Sequence, residues 1–143
     1  MTQVQMTDQQ LNRALAELMG YTVSDLDPEW WKSKHYWVLK EPTEERQSIG
    51  RDTEDEAWED APDYCNNPTA SLEVQAKAIE VDAKRYAINL ANRLKWNEDG
   101  DELEYSDDDL FSYTGVTVFL NASPRERAEA AYITLSSERS QLA

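Results

Sequence analysis

The chain has 143 residues and a net charge of −15, from 29 acidic against 14 basic side chains. That length predicts a single domain, 1–143, with room for a buried core. The acidity excludes a broad basic footprint, so direct contact with a nucleic-acid backbone is not expected. Cys65 is the one cysteine and His35 the one histidine, so neither an internal disulfide nor a structural zinc site can be assembled.

The first residues, MTQVQMTDQQ, lack the basic and apolar regions of a signal peptide. No apolar run approaches the roughly 20 residues that span a bilayer. A cytoplasmic location without a membrane partner is therefore expected. Residues 7–19 read as the first helix. Thr7 and Gln10 form a capping box, Leu11, Leu15 and Leu18 share a face with Ala14 beside them, and Gly20 is the natural stop. Residues 36–40 fit a strand after the turn at Asp27-Pro28. Residues 42–63 read as a polar, acidic excursion without clear period.

A second helix starts at Asn67-Pro68, with proline at the first helical position. Leu72, Ala76, Ile79 and Ala83 form its expected apolar stripe. The same spacing runs on through Tyr86, Leu90 and Leu94, which would make one helix of about 27 residues. Tyr86, Ile88 and Leu90 also alternate with Ala87, Asn89 and Ala91, as in a strand, and periodicity alone leaves both open. Residues 97–110 form a second acidic excursion. In VTVFLNASPRERAEAAYITL, residues 116–121 alternate like a strand. Ser123, Pro124 and Glu126 then give an N-cap, a first-turn proline and a capping box. Ala128, Ala131, Tyr132 and Leu135 fall on one face of the helix that follows.

The charge is unevenly placed. Residues 52–63 hold seven acids and 98–109 hold eight, without one base in either. These fifteen equal the whole net charge, so the rest of the chain is neutral. Asp52, Glu54, Asp55, Glu56, Glu59 and Asp60, with Asp99, Asp101, Asp107, Asp108 and Asp109, form a candidate interaction surface for a basic protein. The bland alternative is a pair of solvated loops.

Four glycines cannot build a phosphate-binding or dinucleotide loop. A calcium loop centred on Gly100 fails at both ends, because Lys95 and Ser106 stand where Asp and Glu are needed. Cys65 and His35 could meet in space as a catalytic pair. A small residue next to the helix cap, for Cys65, and a strand or loop residue, for His35, are the plainer readings. Trp30, Trp31, Tyr36 and Trp37, interleaved with Lys32 and Lys34, could stack on a ligand, although an aromatic strand is more often core. No catalytic, cofactor-binding or metal residues are expected.

LNRALAELMGY, APDYCNNPTASLEVQAKAIE and VTVFLNASPRERAEAAYITL together resemble, in order and spacing, the phage ABA sandwich domain family of small phage and prophage proteins. Residues 30–60 and 97–111 are longer than that pattern. The resemblance implies a strand at 84–92 after the second helix. It also implies an α+β fold, with a small antiparallel sheet of about three to four strands sandwiched between helices. The expected function is non-enzymatic protein–protein contact in the cytoplasm of a bacterial host, with a homodimer possible. The alternatives are a small-molecule binder or minor enzyme using 30–39, and a DNA-mimic or anti-defence protein.

Overall fold

A computed structural model of the chain describes residues 5–26, 36–43, 50–94 and 113–142. The elements run α1 (Asp8–Leu18), β1 (Thr22–Leu26), β2 (Tyr36–Lys40), α2 (Glu54–Trp58), α3 (Pro68–Arg93), α4 (Tyr113–Leu120) and α5 (Pro124–Leu142). The fold is mixed α and β and mostly helical, with a two-stranded antiparallel sheet among the described residues.

Helix α1 begins and ends as its sequence dictates. The Gln10 amide donates to Thr7 Oγ1 at 3.1 Å, and the Thr7 amide donates to Gln10 Oε1 at 3.0 Å. Leu11 and Leu15 are completely buried. At the other end, the Tyr21 amide reaches back to the Ala16 carbonyl and the Gly20 amide to that of Glu17. This Schellman closure needs a left-handed residue, which Gly20 supplies with φ +97°. It turns the chain directly into β1, which pairs with β2 from Thr22 opposite Lys40 to Leu26 opposite Tyr36.

Helix α3 departs from expectation twice. The strand expected at 84–92 is helical, because α3 runs on to Arg93. A break at Asp82, with φ −159° and ψ 88°, divides it. There the Asp82 carboxylate accepts the Arg85 amide at 3.0 Å, capping the second half as an N-cap would. Local capping thus keeps the chain helical where alternation and resemblance favoured a strand. The expected apolar stripe is also on the wrong face. Leu72, Ala76, Ile79 and Ala83 are exposed, while Ala70, Val74 and Ala78 are buried. The inward stripe is the smaller one because α5 meets it with Ala128, Ala130 and Ala131, all fully buried. Alanine against alanine lets two helix backbones approach closely, and leucine at those sites would hold them apart.

Polar bonds cross the same seam. Arg127, nine-tenths buried, donates through Nε to Ser71 Oγ at 2.9 Å and through Nη1 to the Ala122 carbonyl at 2.5 Å. Asn89 Nδ2 donates to Thr134 Oγ1 at 3.0 Å, and Thr134 donates on to the Ala130 carbonyl. The Tyr86 hydroxyl donates to Gln75 Oε1, tying the two halves of α3 together. Buried polar groups bonded in this way fix the register of two otherwise slippery alanine faces.

The strand expected at 116–121 is also a helix. Its backbone closes i→i−4 bonds, such as the Asn121 amide to the Thr117 carbonyl at 3.1 Å. A strand there would need a neighbour to take its amides, whereas a helix satisfies them within the segment. Of α4, Phe119 packs against the core, while Tyr113, Val116 and Leu120 are exposed. The Ser123 signal reads true. Its hydroxyl accepts the Glu126 amide at 3.1 Å, and its own amide donates to Glu126 Oε1 at 2.9 Å. Ala128, Ala131 and Leu135 are buried as their spacing requires, with Tyr132 half-buried against them. No helix among the described residues is long and apolar enough to cross a membrane.

Candidate interaction surface

The first acidic stretch is folded. Thr53 caps α2 by accepting the Glu56 amide on Oγ1 at 3.1 Å. Glu54, Asp55 and Glu56 follow in the first turn, where the helix dipole favours carboxylates. Ala57 and Trp58 then turn inward and are buried. These two side chains anchor α2 against β2 and β1 and leave its acids outside. Within the stretch 42–63, read as an excursion without period, residues 54–58 are helical. One turn of helix is too short to show a period, and two apolar side chains suffice to dock it.

Two arginines hold this face in place. Arg13, from α1, lies over the Trp58 ring with its guanidinium carbon 5.0 Å from the centroid. It also approaches Asp55 at 3.3 Å, Glu17 at 3.3 Å and Glu54 at 4.0 Å. Arg51 grips Asp60 with two bonds, Nε to Oδ2 at 2.9 Å and Nη2 to Oδ1 at 2.6 Å. The Asp60 bond, and then its charge, raise the Arg51 pKa above the usual arginine value. Backbone bonds of 2.8 Å each way between Arg51 and Trp37 fasten the same point to β2. Gln9 donates to Glu59 at 2.6 Å. Of the seven acids of 52–63, Glu54, Asp55 and Asp60 meet an arginine, and seven acids against two arginines leave the stretch strongly negative.

A second network joins the base of α1, the 61–67 turn and the start of α5. Arg125 Nη1 meets Asp8 Oδ1 at 2.7 Å, and Nη2 donates to the Met6 carbonyl at 2.7 Å and pairs with Glu129 at 3.3 Å. Asn66 Nδ2 donates to Asp8 Oδ2 at 3.1 Å and to both oxygens of Asp63 at 3.2 Å. Asn12 donates to Asp63 at 2.9 Å and accepts the Cys65 amide at 3.1 Å. Cys65 lies inside this network. Burial pushes its thiol up to about 11, against the opposing pull of Arg125. A thiol that keeps its proton is a poor nucleophile, and Cys65 is a buried residue of the core beside the Asn67 cap. His35, its notional partner, lies outside the described residues.

The other sequence candidates divide. Asp99, Asp101, Asp107, Asp108 and Asp109 lie outside the described residues, as do Trp30 and Trp31. Tyr36 and Trp37 are consecutive on β2, so they point to opposite sides of the strand and do not form one patch with each other. The Tyr36 ring lies against Gly50, where an added Cβ would stand 3.1 Å from Tyr36 Cβ. Among the described residues no group of three His, Cys, Asp or Glu could hold a metal ion. Arg13, Arg51, Arg125 and Asp8 were not singled out by sequence. Beyond the i,i+4 pairs Arg13–Glu17 and Arg125–Glu129, they act on residues at spacings that no helix or strand pattern marks.

Comparison of the chain with family models, with curated proteins and with solved structures returns no match in any of the three.

Proposed function

We propose that this protein works through protein–protein contact, docking a basic protein surface on the acidic face of α2 and its flanking turns. One observation carries the reading. Glu54, Asp55 and Glu56 are displayed on a helix that buried Ala57 and Trp58 hold in place, Arg13 approaches Asp55, and two bonds from Arg51 set the orientation of Asp60. Carboxylates needed only for solubility gain nothing from such an arrangement. A docking surface gains by it, because an ordered face loses little entropy on binding.

The proposal includes the setting implied by the phage-type resemblance, the cytoplasm of a bacterial host. The three- or four-stranded sandwich of that family would need strands beyond the two described above. Order in the acidic face also favours the phosphate-mimic variant, in which the basic partner is a DNA-binding protein.

The test compares the protein with a variant carrying Glu54→Gln, Asp55→Asn, Glu56→Gln and Glu59→Gln as baits in host lysate. A partner retained by the first and lost by the second is expected. Its association rate should fall steeply as salt rises. If that partner is a DNA-binding protein, duplex DNA should compete with the bait. Capture that ignores both salt and the substitutions would end the docking reading.

A further inference from the structure

We draw no further inference here: the strongest candidate, the buried Arg127 guanidinium between the first turns of α3 and α5, is already held by Ser71 Oγ and the Ala122 carbonyl, and Asn67 and Ser123 already cap both helices, so nothing in the structure points to an anion there.

Discussion

The α3–α5 pair and the α1–α2 region place their polar groups in opposite ways. Between α3 and α5 the buried polar side chains Ser71, Asn89, Arg127 and Thr134 all have bonds, and the surfaces around them are alanine. In the α1–α2 region the charges are exposed and paired at the surface. The buried Trp58 Nε1 and Tyr64 Oη have no hydrogen-bond partner among the described residues. An unbonded buried donor costs stability that a bonded one does not. The bonds Arg127–Ser71 and Asn89–Thr134 thus satisfy buried groups at the α3–α5 seam, whereas Trp58 Nε1 and Tyr64 Oη are left without one.

The comparison is broken most directly at its arginines. Arg127→Ala should cost about 3 kcal/mol in chemical denaturation, since it leaves Ser71 and the Ala122 carbonyl buried without their donor. Arg51→Ala, at a partly exposed ion pair, should cost clearly less, because solvent screens that pair. Equal losses would mean that burial does not separate the regions. Ser123→Ala, which removes the α5 cap, should cost about 1 kcal/mol by the same measurement. Tyr64→Phe should move the other way and stabilise by up to about 1 kcal/mol, because it removes a completely buried hydroxyl without a partner. A clear loss of stability would mean that the hydroxyl is bonded after all.

A further expected effect is in pH dependence, confined to alkaline pH. The Cys65 thiol ionises near 9.0 in the unfolded chain and at about 11 in the folded one, chiefly because burial disfavours the thiolate. The unfolded state thus loses its proton first. This contribution to stability is complete below pH 9.0 and disappears as pH rises to about 11. Tyr21, Tyr64 and Tyr86 are raised for the same leading reason and add to the loss at higher pH. Denaturation midpoints between pH 8 and 11 should fall less steeply for Cys65→Ala than for the parent. Identical slopes would place Cys65 in contact with solvent.

What could be read from sequence was what is decided within one turn of chain. Thr7 and Gln10, Ser123 and Glu126, Pro68 and Gly20 each act on a neighbour three or four residues away, and each behaves as read. Residues 116–121 were misread because their alternation meets the strand rule, while the deciding fact is whether another strand lies beside them. The stripe of α3 was misread because size was taken as the mark of burial. At a close helix crossing the smaller stripe goes in, and only the alanines of α5, some fifty residues on, reveal that. The docking face was legible as charge but not as structure. Its anchors are two residues in a single turn, and of its clamps Arg13 comes from α1, which the sequence does not place beside it, while Arg51 stands just before α2 at a spacing from Asp60 that no helix or strand pattern marks.

The break at Asp82 divides α3 into two units of cooperativity. A continuous helix transmits a register change along its whole length, because each backbone bond fixes the next. Here the Asp82 side chain restarts the ladder, and the halves are joined across the break by the Tyr86–Gln75 bond rather than by the backbone ladder alone. Amide exchange should accordingly run at two rates along α3, divided at Asp82. An added residue at that point would change the bearing of one half and leave the bonding of the other as it is.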